Sequence, residues 1–274
     1  MSLPRSEFVP EGAFINVFKN IGCIGDSLSS GEFEHILKDG EKGYWDYYYY
    51  SWGKQIERAT GIDVTNFSRG GLTAKQMYEY GDKRSGDNED LKHVFDADNL
   101  KQAYIIALGV NDIRGKDNLD KLYGGEVGDA KTDIDISDYT KNKPTFCGVY
   151  AKIIQRIQKM QPDTKFFLVS MPNDGGRDCG FSDMLRGISK TLPNCYIIDM
   201  YHDAPKYDDE FKRSYFDGHM NVLGYIWTAH FMIRYIDNII RKNPDDFRYV
   251  PFIGTDMTPN KNPNISEFSK TVEV

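Results

Sequence analysis

Residues 18–28 read FKNIGCIGDSL, an apolar run that ends at Gly25-Asp26-Ser27-Leu28. The run has the length and composition of a buried β-strand, and the turn after it delivers one hydroxyl to the carboxyl end of that strand. Open α/β sheets bind their ligands at this edge. Ser27 is therefore a candidate nucleophile, provided that a base and oxyanion-stabilising donors lie within reach.

Strand-length apolar runs alternate with segments of helical periodicity along the chain. Strands are predicted at 18–25, 63–68, 103–109, 165–171 and 195–200. Helices are predicted at 47–60, 73–80, 89–95, 145–160, 177–191 and 223–241. This alternation implies right-handed crossovers and a mainly parallel sheet with helices on both faces, which is an α/β fold built as a three-layer α/β/α sandwich.

Three segments depart from the alternation, and we predict no regular structure for them. Residues 29–44 are Gly-rich and follow the candidate nucleophile. Residues 114–144 form a long, charged insertion after the third strand, and residues 244–274 form a tail rich in Pro and Asn. A loop as long as the insertion usually carries a function. The length of the chain fits one domain over residues 1–274.

The composition argues against several classes of protein. The chain has 34 Lys and Arg against 41 Asp and Glu and no basic block, which disfavours nucleic acid as a partner. No segment is long and apolar enough to span a bilayer. The first residues lack a signal-peptide layout, so we expect a cytoplasmic protein if this terminus is native, and a secreted or periplasmic one if a signal was removed. Cysteines and histidines show no metal-ligand spacing, so we expect no cofactor.

Three further segments are predicted to reach the same sheet edge as Ser27. The pair Gly70-Gly71 follows the second strand, and a turn there points backbone N–H groups at a ligand. Asn111, in Gly109-Val110-Asn111-Asp112, follows the third strand and adds a side-chain amide. His219 precedes the last helix and would supply a general base.

This ordered set resembles the SGNH (GDSL) hydrolase family, which is named for a Ser, a Gly, an Asn and a His in four blocks. The matching residues are Ser27, Gly71, Asn111 and His219, spread over nearly the whole chain. The resemblance implies a flavodoxin-like parallel sheet with strand order 2-1-3-4-5. It also implies a serine esterase, in which Ser27 attacks an ester carbonyl and His219 takes the proton. The Ser27 N–H, the Gly71 N–H and the Asn111 side chain would form the oxyanion hole.

The third member of the triad departs from the family pattern. The family places an Asp three residues before the His, where this chain has Phe216, and Asp217 lies two residues before His219. Gly218 permits a tight turn between them, so we predict that Asp217 orients the imidazole. A backbone carbonyl, Asp203 or a Ser–His dyad without a carboxylate are the alternatives.

Two other assignments have rivals. Gly70 competes with Gly71 for the oxyanion role, and Gly71 is preferred because Thr73 lies two residues after it, as in the family. His202, next to Asp203, is the rival of His219 as the base.

The substrate is predicted less directly. Arg69 and Asp26 flank the predicted site and are candidate substrate-binding residues, and an aromatic cluster follows at 44–52. Aromatic rings stack on sugars, so we hypothesise an enzyme that deacetylates carbohydrate through an acyl-enzyme. A lysophospholipase or thioesterase-type lipid esterase and a non-catalytic carbohydrate-binding protein are the alternatives. The expected partner is a small-molecule or carbohydrate ester, and the oligomeric state is left open.

Overall fold

The computed structural model of the protein describes residues 13–83, 90–114, 118–176 and 178–259. Its strands are β1 (Asn20–Gly25), β2 (Glu32–Ile36), β3 (Lys42–Asp46), β4 (Asp63–Ser68), β5 (Ala103–Ala107), β6 (Lys165–Val169), β7 (Cys195–Ile198), β8 (Phe216–Asp217) and β9 (His219–Met220). Five of them form a parallel sheet in the order β4-β1-β5-β6-β7. Counted along the chain, these five strands lie in the order 2-1-3-4-5, which confirms the prediction.

The described residues also contain helices that connect and cover these strands. They are α1 (Ser27–Ser30), α2 (Trp52–Thr60), α3 (Ala74–Lys83), α4 (Asn118–Tyr123), α5 (Ala130–Asp133), α6 (Phe146–Met160), α7 (Phe181–Thr191), α8 (Met200–Asp203), α9 (Asp209–Tyr215), α10 (Val222–Lys242) and α11 (Pro244–Phe247). None of the helices in these ranges combines the length and the apolar character that a membrane crossing needs.

Each sheet face carries its own hydrophobic core, because successive side chains of a strand point to opposite sides. In β1, Ile24 packs into the core formed with α3, α6 and α7, whereas Ile21 and Cys23 pack into the core formed with α2 and α10. Both faces are therefore covered, as in the predicted α/β/α sandwich. The loops at the carboxyl edge of the sheet are left to build a site.

The segment between the candidate nucleophile and α2 differs from the prediction. Strands β2 and β3 form an antiparallel hairpin with Glu32 opposite Asp46 and Glu34 opposite Tyr44, so a loop over 29–44 was wrong. The reason is visible in the sequence, where Asp39-Gly40 lies between two short segments, 32–36 and 42–46, that contain aromatic residues and Ile36. That pattern is typical of a hairpin turn.

Several helix boundaries also differ from the prediction. Helix α2 begins at Trp52 because Ser51 caps it, accepting a hydrogen bond from the Lys54 N–H at 3.2 Å. Helix α7 begins at Phe181, and the helix predicted at 89–95 is a short 3₁₀ turn, Asp90–His93. The predicted positions 89 and 177 lie outside the described residues.

The insertion and the tail are also more regular than predicted. The insertion holds α4 and α5, and the tail holds α11 and a 3₁₀ turn at Val250–Phe252. Residues 115–117 of the insertion and 260–274 of the tail lie outside the described residues.

Candidate active site

Ser27 is the first residue of α1 and lies two residues after the end of β1. Asp26 caps this helix, and its carboxylate accepts a hydrogen bond from the Leu28 N–H at 3.1 Å. A Cβ at Gly25 would lie 2.0 Å from Ser29 Oγ and 3.0 Å from the Ala107 carbonyl oxygen, so only glycine fits there. The chain thus turns sharply after β1 and leaves Ser27 half-buried at the carboxyl edge.

The turn after β4 brings an exposed glycine and the Asn111 side chain together. Gly71 has φ +70°, a conformation that favours glycine, whereas the Gly70 N–H is engaged by Asp46 Oδ2 at 2.9 Å. Among the described residues, none of the hydrogen bonds uses the Gly71 N–H. The Asn111 side-chain amide donates to the Leu72 carbonyl at 3.3 Å, which holds it at the same turn. This geometry favours Gly71 over Gly70 as a free donor.

Asn111 lies in a π-helical turn, Val110–Arg114, which is locked to the start of α3. The buried Asp112 carboxylate accepts hydrogen bonds from the Ala74 N–H at 2.9 Å and from the Tyr123 hydroxyl. Burial raises the pKa of Asp112 to about 6. Asp112 therefore fixes the loop that presents Asn111.

His219 lies in β9, immediately before α10, and its ring contacts the β2–β3 hairpin. The Nε2 atom is 3.0 Å from Glu32 Oε1, and the Tyr44 ring packs edge-on against the imidazole at a centroid distance of 5.4 Å. The hydrogen bond with Glu32 raises the pKa of His219, and partial burial opposes this shift. Asn221 caps α10 by accepting from the Gly224 N–H at 3.1 Å, which fixes the start of the helix beside His219.

Asp217 does not hold the imidazole, contrary to the prediction. Gly218 makes the expected turn, with φ +80°, and Asp217 pairs with His219 across β8 and β9. The Asp217 side chain is nevertheless exposed, and His219 Nδ1 has no hydrogen-bond partner within the described residues. A hairpin turn this short directs the carboxylate to solvent, and Glu32 is the carboxylate that contacts the ring. The alternative Asp203 instead accepts from the Tyr235 hydroxyl at 2.6 Å.

The rival histidine lies elsewhere along the edge. His202 Nδ1 is 3.0 Å from Asp199 Oδ1, in a pair that belongs to the first turn of α8 after β7. Strands β5 and β6 separate β7 from β1 in the sheet. His202 is thus placed away from the Ser27 turn, whereas His219 lies beside it.

The two predicted substrate-binding residues differ in exposure, since Arg69 is half-buried and Asp26 is buried. The Arg69 guanidinium packs over the Tyr80 ring of α3 at 5.1 Å. Asp26, which precedes Ser27 in the chain, is 2% exposed. Its Oδ2 atom and the Ser29 hydroxyl have no hydrogen-bond partner within the described residues, and both residues line an internal cavity of about 40 Å³. Burial raises the pKa of Asp26 to about 7. Substrate contacts of Arg69 and Asp26 therefore stay a prediction.

Tyr225 connects the turn that carries Ser27, residues 25–28, to the β2–β3 hairpin. This turn is called the nucleophile turn below. This buried tyrosine of α10 donates to the Glu32 carbonyl oxygen at 2.7 Å, and its hydroxyl lies 3.5 Å from the Ser27 carbonyl oxygen. A continuous set of contacts thus runs from Ser27 through Tyr225 and Glu32 to His219. Sequence reasoning missed Glu32, and the turn residues Asp39-Gly40 between two short segments with aromatic residues are the signal that would have placed it on a strand.

Residues 23–226 match the GDSL-like lipase/acylhydrolase family. The chain belongs to this family. The match covers most of the chain and confirms the resemblance drawn from Ser27, Gly71, Asn111 and His219. Family membership makes the protein an ester-hydrolysing enzyme of the SGNH type. No curated protein matches the chain.

Solved structures of similar fold include carbohydrate esterases of family two. The chain resembles one from Clostridium thermocellum, solved in complex with cellohexaose, at 16% identity and a TM-score of 0.54, over 81% of this chain and 64% of that one. It resembles one from Cellvibrio japonicus at 15% identity and a TM-score of 0.53, over 83% and 62%. A third, from Corynascus thermopiles (Myceliophthora fergusii), has 16% identity and a TM-score of 0.51, over 81% and 66%. The chain thus spans about two thirds of the length of these esterases, and the likeness shows the shared fold.

Proposed function

We propose that this GDSL-family enzyme is a serine esterase that works through an acyl-enzyme at Ser27. The Ser27 oxygen attacks the ester carbonyl carbon while His219 accepts the hydroxyl proton. His219 then passes this proton to the oxygen of the leaving alcohol, and the carbonyl re-forms as the acyl-enzyme. Water, deprotonated by His219, attacks the same carbon and releases the acid, which regenerates the Ser27 hydroxyl.

The oxyanion of each tetrahedral intermediate would be held by the Ser27 N–H, the Gly71 N–H and the Asn111 side-chain amide. Support comes from the free Gly71 amide and from the Asn111 contact with the Gly71 turn at Leu72, 3.3 Å long. Donors that are already in place stabilise developing charge without having to reorganise during the reaction.

The alcohol portion of the substrate is proposed to be a carbohydrate, and the single observation that carries this is the exposed ring of Tyr44 beside His219. Tyr44 and the exposed Trp45, Tyr47 and Tyr49 that follow it in the chain are called the aromatic ledge. Tyr44 packs directly against the imidazole. Large exposed aromatic rings next to a candidate catalytic base are positioned to stack on sugar rings.

We infer that the group removed is acetyl, because the cavity next to the Ser27 turn, which Asp26 and Ser29 line and Ser27 does not, is small. The cavity is lined by Leu28, Val110 and four methionines, and its volume of about 40 Å³ corresponds to roughly three water molecules. A long lipid chain would require a much larger space.

A fluorophosphonate probe tests the proposed nucleophile. We expect the wild-type chain to be labelled once, at Ser27, and Ser27→Ala to remain unlabelled while it keeps the wild-type circular dichroism spectrum. Absence of labelling of the intact chain would instead support a carbohydrate-binding protein that kept the fold.

Substrate preference is tested by comparing acetate release from acetylated oligosaccharides with hydrolysis of long-chain esters of the same alcohol. We expect turnover of the acetylated sugars and little of the long-chain esters. A clear preference for the long chains would replace the proposal with a lipid esterase.

A further inference from the structure

The esterase mechanism needs a group that holds the imidazole, and Asp217 does not contact it. We propose that Glu32 is the positioning residue of His219: its carboxylate accepts the Nε2–H and leaves Nδ1 as the nitrogen that takes the Ser27 proton. This inference rests on the proposed function. In the family pattern, an Asp three residues before the His orients the imidazole. Here that role is assigned to a residue of the β2–β3 hairpin.

The contact between Glu32 and His219 is close and partly shielded from water. The distance from Glu32 Oε1 to His219 Nε2 is 3.0 Å, and the two side chains are 14% and 26% exposed. A carboxylate accepting an imidazole N–H at this distance fixes both the tautomer and the plane of the ring.

The backbone of Glu32 is itself held in place. Its carbonyl oxygen accepts the Tyr225 hydroxyl hydrogen bond at 2.7 Å, and Glu32 pairs with Asp46 in the hairpin ladder. Asp46 in turn accepts hydrogen bonds from the Ser30 hydroxyl and the Gly70 N–H. The β2–β3 hairpin that carries Glu32 is thus anchored to α10, to α1 and to the turn at Gly70, which is the support an orienting residue requires.

The second ring nitrogen indicates which atom acts as the base. His219 Nδ1 is buried and has no hydrogen-bond partner in the part of the chain that the structure describes. A buried polar atom without a partner is costly, and the group that base catalysis must bring to it is the Ser27 hydroxyl. During attack the Ser27 O–H bond breaks, the Nδ1–H bond forms, and the Glu32 carboxylate stabilises the resulting imidazolium.

Several charged groups face His219, and one of them is hydrogen-bonded to it. Glu32 and Glu34 from β2 and Asp26 from the nucleophile turn all favour the protonated ring. Glu34 is already paired with Lys42 across the hairpin. Removing Glu32 therefore takes away both a charge and a hydrogen bond, whereas removing Glu34 takes away a charge alone.

The test measures the rate of fluorophosphonate labelling of Ser27 as a function of pH. We expect Glu32→Gln to lower the plateau rate by roughly 10²- to 10⁴-fold, by analogy with the loss of the orienting carboxylate in serine proteases. We also expect the acid limb of the profile to move to lower pH, because a neutral amide no longer favours the imidazolium. Simple loss of folded protein would reduce the rate without moving that limb.

Three control variants separate the alternatives. Glu34→Gln and Asp217→Asn are expected to change the plateau rate by less than about threefold, since neither residue contacts the ring. Glu32→Asp keeps the charge on a side chain one methylene shorter, and its rate is expected between those of the wild type and Glu32→Gln. In ¹⁵N NMR spectra, the neutral His219 ring is expected to carry its proton on Nε2.

The proposal is overturned if Glu32→Gln keeps the wild-type rate and pH profile, if Asp217→Asn shows the large loss instead, or if the neutral ring is protonated on Nδ1. Each of these results leaves Ser27 labelled in the wild type. Failure of the wild type itself to label would be the different result that removes the esterase proposal.

Discussion

His202 and His219 each place a ring nitrogen 3.0 Å from a carboxylate oxygen, of Asp199 and of Glu32 respectively. The first pair is local, three residues apart, and lies in the cap of α8, where Asp199 also accepts hydrogen bonds from Ser170 and Arg186. The second pair joins a hairpin after β1 to the residue that precedes α10. Proximity of histidine to carboxylate therefore does not identify a base, and what differs is the surroundings.

The surroundings of His202 and His219 differ in how many buried polar atoms lack a hydrogen-bond partner. The Asp199 carboxylate is fully engaged by its neighbours, whereas His219 Nδ1, Asp26 Oδ2 and Ser29 Oγ have no partner within the described residues. These three atoms lie beside the Ser27 turn or belong to it, and the fourth such atom within the described residues is Arg114 Nε, on a side chain that pairs with Asp174. A satisfied cluster stabilises the fold, and an unsatisfied one is available to a ligand.

The difference between the two histidines is tested most directly by replacing each of them with alanine. We expect His219→Ala to lower kcat for an aryl acetate by roughly 10⁴- to 10⁶-fold, because the general base is lost. His202→Ala is expected to stay within about twofold of the wild type, since its pair is a surface cap. Steady-state kinetics on the two purified variants provide the measurement, and comparable losses would remove the distinction.

We expect only the asparagine proposed for the oxyanion hole, Asn111, to matter for turnover. Asn111→Ala should lower kcat by about 10²- to 10³-fold with little change in KM, since the amide would bind the oxyanion more tightly than the substrate carbonyl. The matched variant Asn173→Ala, in the loop after β6, should leave kcat unchanged. An equal rise in KM for Asn111→Ala with kcat preserved would contradict a transition-state role.

The free energy of unfolding should depend on pH through the buried carboxyl of Asp26. The pKa of Asp26 is raised from 3.8 to about 7, so the folded chain keeps a proton that the unfolded chain loses at lower pH. This contribution to stability is present below pH 4 and is lost as the pH rises toward 7, with a slope of at most about 1.4 kcal/mol per pH unit.

Urea unfolding between pH 4 and pH 8 measures this slope. Asp26→Asn is expected to remove the Asp26 part of it, because an amide does not titrate. Asp199→Asn is expected to lower stability, because Arg186, Ser170 and His202 lose hydrogen bonds to its carboxylate. Identical slopes for the wild type and Asp26→Asn would show that Asp26 titrates normally.

The pH dependence of kcat/KM also distinguishes His219 from His202. Catalysis needs His219 unprotonated, and Glu32 raises its pKa, so kcat/KM should fall as the pH drops through a value above the usual 6.5. His202→Ala should leave this limb unmoved. A wild-type profile that stays flat down to pH 4 would argue against His219 as the base.

The smallest expected effect concerns the aromatic ledge. Tyr44→Ala should raise KM for an acetylated oligosaccharide by about 3- to 10-fold, the loss of one stacking contact, and should leave KM for an aryl acetate unchanged. The exposed Met257, far along the tail, provides a matched control as Met257→Ala. Equal effects on both substrates would show that the ledge does not bind the sugar.

Much of this site followed from local sequence signals. The strand ending at Ser27, the Gly70-Gly71 turn, Asn111 after the third strand and His219 before the last helix are each short patterns with a direct local consequence. The hairpin was missed because two glycines at 31 and 40 were interpreted as loop residues, although Gly40 serves as the turn between paired strands. With the hairpin, Glu32 and the packing of Tyr44 were missed as well.

The sequence by itself determined the α/β alternation, the family and the four segments that meet at one sheet edge, because hydrophobic periodicity and turn chemistry act over a few residues. Only the tertiary structure decided which carboxylate meets His219. Asp217 is two residues away and faces solvent, while Glu32 is distant in the chain and lies 3.0 Å from the ring. Side-chain partners depend on how separate elements pack, and the spacing of residues along the chain does not encode that distance.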